Sequence, residues 1–133
     1  MNSLIEGKSV LIVDDSERVR DQLNQLYRSL GMNVAGLAAG GLEAIEVMQK
    51  VNPDLVSLDI IMPEMDGIEC YRKMKEMEGN RRYIFISVLA SEERILACYE
   101  QEIGRELFLA KPVTLGMLEA KLVKIFCDSD QKP

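Results

Sequence analysis

Between Asn52 and Glu69 the chain reads NPDLVSLDIIMPEMDGIE, and no other stretch narrows the available folds as much. Leu55 to Leu58 is a short, nearly unbroken apolar run, the pattern of a strand buried on both faces. Such a strand belongs to a parallel sheet with helices on each side, where neither face meets water. The run ends on Asp59, and two loop signals follow at once, Met62-Pro63 and Asp66-Gly67. A carboxylate at the C-terminal end of a buried strand stands where open α/β sheets gather their chemistry. Taken alone, Asp59 reads equally well as the cap of the next helix.

The rest of the chain repeats the strand–helix alternation. Further strands are expected at 8–13, 32–37, 83–88 and 107–110. Ser16 is a natural N-cap for a first helix with Val19, Leu23, Leu26, Tyr27 and Leu30 at helical spacing, ended by Gly31. A second helix, 41–50, shows Leu42, Ile45 and Met48 as its apolar face and closes at Asn52-Pro53. Ile68, Tyr71, Met74 and Met77 mark a third, broken by Gly79-Asn80. Ser91 opens a fourth, with Glu92-Glu93 in its first turn and Ile95, Cys98 and Tyr99 inward. Thr114 caps a fifth carrying Leu118, Leu122 and Ile125, and a polar tail from Asp128 should fray. Five strands alternating with five helices imply a three-layer, doubly wound parallel α/β sheet covered on both faces, and the order of such a sheet in flavodoxin-like folds is 2-1-3-4-5. Its ligand crevice falls where the winding reverses, between strands one and three. Those strands end in Asp14-Asp15 and Asp59, so three carboxylates should converge.

The formal net charge of −6 argues against direct binding of nucleic acid or of an anionic membrane. No apolar run is long enough to span a bilayer, and the first residues lack a signal-peptide core, so a cytoplasmic location is expected. The chain has no histidine, and Cys70, Cys98 and Cys127 show no paired spacing. That removes most zinc sites and every Ser-His or Cys-His catalytic arrangement. Buried structural thiols are the expectation for the three cysteines, and core filler for Met62, Met65, Met74 and Met77.

Four landmarks stand in order at strand ends: the acidic pair Asp14-Asp15, Asp59 with its M-P-E-M-D-G loop, the hydroxyl of Ser87, and Lys111-Pro112. Together they resemble the receiver domain of bacterial two-component response regulators, over residues 8–127, with 1–7 and 128–133 as terminal tails. The resemblance implies that Asp59 is the phosphoacceptor. It implies a Mg²⁺ (or Mn²⁺) ion held directly by Asp15 and Asp59, by Asp14 largely through water, and by the backbone carbonyl of Ile61. It makes Lys111 the phosphate-binding cation, in a usually cis bond to Pro112, Ser87 the switch hydroxyl, and Phe108 the switch aromatic. Three clustered carboxylates repel one another, and a hard divalent cation is the natural compensation.

Ser87 lies 24 residues before Lys111, two more than is common in the family. Counting back the common spacing reaches Leu89, which has no hydroxyl. Ser87 is preferred because Glu92-Glu93 and Ile95-Leu96 then fall where the fourth helix expects them. The two extra residues would lie within 101–106, where a surface insertion costs little. Val88 departs from the small residue that usually follows the switch hydroxyl and is expected to narrow phosphate access.

The function implied is a phosphorylation-controlled signalling switch and not a true enzyme. Its partners would be a sensor histidine kinase or phosphotransfer protein and a downstream target or output domain. The signal would leave through the fourth helix, fifth strand and fifth helix, by docking or by homodimerising. One alternative is an aspartyl-phosphate phosphatase, which would want a second Asp where Ile61 stands. A flavodoxin-like nucleotide binder would want a Gly-rich or hydroxyl-rich loop where Asp14-Asp15 stands. A degenerate receiver that is never phosphorylated would act as an interaction module.

Overall fold

The computed structural model describes residues 2–130, with the backbone alone described at 128–130. Strands and helices alternate throughout: β1 (Ser9–Val13), α1 (Glu17–Ser29), β2 (Asn33–Ala38), α2 (Gly41–Val51), β3 (Leu55–Leu58), α3 (Gly67–Lys75), β4 (Arg82–Ser87), α4 (Glu93–Tyr99), β5 (Phe108–Ala110) and α5 (Leu115–Asp130). The strands are all parallel, in the order β2-β1-β3-β4-β5. This is the doubly wound order expected from the sequence.

Strand alternation divides the core into two layers. Val10, Ile12, Leu55, Ile84 and Ile86 pack on Leu23 and Tyr27 of α1 and on Leu118 and Leu122 of α5. On the other face Leu11, Val13, Val56, Leu58 and Phe85 meet Ala44 and Met48 of α2 and Ile68, Cys70 and Met74 of α3. All four residues of β3 are buried, which explains the nearly unbroken apolar run that marked it. The four methionines singled out from the sequence serve as core, Met62, Met65 and Met74 buried and Met77 packed against the same cluster.

Helix ends follow local chemistry. The Ser16 hydroxyl accepts the Val19 N–H at 3.3 Å. Past Leu30, Gly31 adopts φ +82°, and the Met32 N–H turns back to the Tyr27 carbonyl at 3.1 Å. Thr114 caps α5 through the Met117 N–H at 3.2 Å.

Several expectations are corrected by the fold. Of the expected face of α2, Met48 is buried and Ile45 packs against the core, but Leu42 is 59% exposed, and Gly41 and Ala44 are buried in its place. Met65 packs so closely on Gly41 that a Cβ there would stand 2.7 Å from its sulfur. Ser91 completes a 3-10 turn, Val88–Ser91, and α4 starts after it with Glu92 as N-cap. Cys98 is exposed, Cys127 half-buried and only Cys70 buried. Burial, aided by the charges of Asp66 and Glu69, pushes the Cys70 thiol up to about 12. Residues 2–7 are not a loose tail: Ile5 is fully buried against α1 and α5, and the Gly7 N–H bonds the Gly31 carbonyl at 2.9 Å. α5 continues to Asp130, into the expected polar tail; residues 131–133 of that tail lie outside the described residues. Among the described residues no helix is long and apolar enough to cross a membrane.

Candidate functional site

The site is built where the strands stop. The Asp14 N–H donates to Ala38 at the end of β2 (3.1 Å), and the Asp59 N–H to Val13 at the end of β1 (3.1 Å). The Lys111 N–H donates to Ser87 at the end of β4 (3.2 Å). Ladder bonds thus run just past the strands and set these residues along one sheet edge. Asp14 and Asp59 lie where the winding reverses, as open α/β sheets predict.

Asp14 and Asp59 are buried and Asp15 is exposed, yet one carboxylate oxygen from each lies within 4.8 Å of the others. The Lys111 ammonium donates to Asp14 Oδ2 at 2.8 Å and to Asp59 Oδ2 at 2.9 Å. Asp14 Oδ1 accepts the Ser16 N–H at 2.9 Å, and Asp59 Oδ1 the Ile61 N–H at 3.2 Å. The second bond fixes the Ile61 backbone beside the Asp59 carboxylate. Arg20 joins the site unannounced; its guanidinium donates to the Asp14 carbonyl at 2.7 Å and steadies that turn. Nothing in the sequence distinguishes it from any other surface arginine of α1.

Burial holds the Asp14 carboxyl above its usual 3.8, against the opposing pull of Lys111 and the Ser16 N–H. For Lys111 burial acts downward, but hydrogen bonds to Asp14 and Asp59, with their charges, outweigh it and raise the ammonium above its usual value. Lys111 is therefore firmly protonated at neutral pH. One ammonium faces three carboxylates, so negative charge remains in excess. Three convergent carboxylate oxygens suit a hard divalent cation such as Mg²⁺, which prefers oxygen ligands. The donor set fits that ion.

The loop after Asp59 is held at both ends. The Gly67 N–H donates to the Ile60 carbonyl at 2.8 Å, and a Cβ on Gly67 would stand 2.0 Å from the Asp59 carbonyl oxygen. Only a residue without a side chain allows that approach. Asp66 then caps α3 through the Glu69 N–H at 2.8 Å. The turn signal was legible in the sequence; the crowding behind it was not.

Ser87 is fully buried, and its Oγ accepts the Leu89 N–H at 3.3 Å. Ile61 and Val88, 50% and 53% exposed, give the site apolar neighbours. Phe108 is buried and stacks on Phe85 with ring centroids 5.2 Å apart, so its inward orientation is the one present. The Lys111-Pro112 bond is cis. Beside Lys111 a cleft of about 450 Å³ opens between α1 and the loop after β5, lined by Arg18, Val19, Gln22, Leu26, Val88 and Pro112 among others.

Comparison with known proteins agrees with this geometry. Residues 10–123 match the family described as the response regulator receiver domain. The chain is 35% identical over 119 residues to the chemotaxis protein CheY of Thermotoga maritima, covering 90% of this chain and 98% of that one. It is 36% identical over 118 residues to sporulation initiation phosphotransferase F of Bacillus subtilis, covering 89% and 93%. Among solved structures, the CheX–CheY–BeF₃–Mg²⁺ complex of Borrelia burgdorferi superposes with a TM-score of 0.79 at 36% identity, covering 91% of this chain and 90% of that one. The chain belongs to the response regulator receiver domain family.

Proposed function

We propose that the protein is a signalling switch that accepts a phosphoryl group on Asp59. The observation that carries the reading is the meeting of Asp14, Asp15, Asp59 and Lys111 at the reversal point of the sheet. Asp59 is the nucleophile: one carboxylate oxygen attacks the phosphorus of a donor, an acyl phosphate forms, and the bond from phosphorus to the donor breaks. Such transfers depend on positioning and on neutralising the equatorial oxygens, not on proton chemistry. Asp14, Asp15, Asp59 and the Ile61 carbonyl would hold Mg²⁺ or Mn²⁺, which supplies part of that neutralisation when bound. Lys111 supplies another part by passing from the Asp59 carboxylate to a phosphoryl oxygen within reach of its flexible stem. Ser87 Oγ, engaged with the Leu89 N–H in the absence of phosphate, turns to donate to the phosphoryl group. The donor is a sensor histidine kinase or phosphotransfer protein, for which the cleft between α1 and Pro112 is the natural approach. Output leaves through α4, β5 and α5 to a downstream protein.

Intact mass after incubation with acetyl phosphate and Mg²⁺ tests the reading. The parent should gain one phosphate that is lost in alkaline hydroxylamine, and Asp59→Asn should gain none while keeping its fold. An Asn variant that still acquires an acid-stable phosphate on Ser87 would overturn the choice of nucleophile.

A further inference from the structure

In the sequence, the approach to β5 reads as the place of a two-residue surface insertion that costs little. In the structure, the segment 101–106 carries two charged forks. The Arg105 guanidinium donates to both carboxylate oxygens of Glu93, at 2.9 and 2.5 Å, and through Nε to Glu100 at 2.6 Å. Glu93 opens α4 and Glu100 is its C-cap, so one side chain grips the helix at both ends. The Arg72 guanidinium, on α3, donates to both oxygens of Glu102, each at 2.8 Å. The segment is thereby tied to α3 on one side and to α4 on the other.

Apolar packing is thin in this region. No residue of α4 is fully buried, whereas α1, α2 and α3 each bury two or more. Ile95, Leu96 and Tyr99 only lean on the core, and Ile103 is the one buried side chain from Ser91 to Leu107. A helix of seven residues is marginal without tertiary support. Hydrogen bonds from Arg105 hold the Glu93 carboxyl below its usual range, and those from Arg72 do the same for Glu102. A single exposed ion pair contributes little, but bidentate arginine and several charges in one network are the circumstances in which such pairs matter.

We propose that Arg105 is a positioning residue, a salt-sensitive latch that holds α4 against the domain and that must yield when α4 responds to phosphorylation. The latch is a property of the unmodified protein; the response rests on the reading of Asp59 as phosphoacceptor. The insertion in 101–106 then has a purpose, because it brings Arg105 within reach of both ends of α4. Opening it moves the equilibrium of α4 by a few-fold, enough to bias a two-state element without locking it.

Hydrogen exchange by mass spectrometry tests the latch in the full chain without any phosphoryl group. In about 50 mM sodium chloride, peptides covering α4 in Arg105→Gln should exchange roughly two- to fivefold faster than in the parent. Arg105→Lys should fall between them, since a point charge replaces a fork. In about 500 mM salt the parent should approach the Gln variant, because screening weakens exposed pairs. The double variant Glu93→Gln/Arg105→Gln should lose less than the two single losses added. Peptides of α1 and α5 should not change. Equal α4 exchange in parent and Arg105→Gln, a parent indifferent to salt, or acceleration shared by α1 would each overturn the latch. Adding beryllofluoride with Mg²⁺ tests the second half: the α4 response should half-saturate at lower beryllofluoride in Arg105→Gln than in the parent. An identical midpoint overturns the coupling. If beryllofluoride alters no peptide in either protein while the salt effect stands, the acceptor reading has failed and the latch has not.

Discussion

Lys111 bridges the two buried carboxylates of the site, and so competes for the oxygens that a divalent cation would use. Lys111→Met should therefore bind Mg²⁺ several-fold more tightly than the parent, since an opposing unit charge a few ångströms away is removed. A titration followed by calorimetry decides; equal or weaker affinity would mean that the ammonium does not compete. On the proposed role of Lys111 at a phosphoryl oxygen, the same variant should respond poorly to beryllofluoride. A second expectation at this scale concerns lifetime. An aspartyl phosphate is lost when a positioned water attacks in line. Ile61, half exposed, and Leu89, partly buried, stand two places after Asp59 and Ser87 and cannot orient water. Ile61→Asn/Leu89→Glu should dephosphorylate faster than the parent once both are freed of donor and kept in Mg²⁺. Equal rates would remove these side chains from the account.

Elements differ in how tightly their backbones are required to pass one another. At the start of α3, a methyl group on Gly67 would collide with the Asp59 carbonyl, which cannot step aside without moving the Asp59 side chain. Gly67→Ala should destabilise the fold by about 1–3 kcal/mol, as overpacking generally does. It should also weaken Mg²⁺ binding, because Asp59 and Ile61 belong to the displaced loop. Gly116, in the first turn of α5, has open space where a Cβ would stand, with nothing within 4 Å, and serves as the contrast. Gly116→Ala should be neutral or stabilising by up to about 1 kcal/mol. Thermal melts of the two variants, read beside the parent, check both. A Gly67 variant as stable as the Gly116 variant would show that the loop relaxes freely.

Three carboxylates and a single ammonium meet at one edge of the sheet, and the local excess of negative charge links stability to metal and to pH. A cation that binds only the folded site stabilises it by about 2.7 kcal/mol when present at a hundredfold over its dissociation constant. Mg²⁺ should accordingly raise Tm in the parent and raise it less in Asp15→Ala. Burial holds the Asp14 carboxyl above 3.8 in the metal-free protein. Protonation of Asp14 competes with the cation, so the gain is present above that raised value and fades as pH falls through it. Melts with and without Mg²⁺ across the acid range check the sign. A gain that persisted undiminished into strong acid would exclude Asp14 from the metal site.

The alternation of strands and helices, their order and the acidic strand ends were legible in the sequence. Periodicity is a local property, and a strand buried on both faces can hardly read otherwise than Leu55 to Leu58 does. The convergence of Asp14, Asp15 and Asp59 was legible for the same reason, since sheet order alone places those strand ends together. What the tertiary structure decided depends on residues brought from far along the chain. Ile5 is core because it packs with residues of α1 and α5, Leu42 is surface because α2 turns Gly41, Ala44 and Met48 inward, and Cys98 is surface on a helix that buries no residue fully. The Gly67 contact needs the path of a loop, and the Arg105 latch needs three side chains whose proximity no spacing announces. Local patterning selects the elements and their order, whereas the partner of each exposed charge and the depth of each side chain are set only when the layers pack.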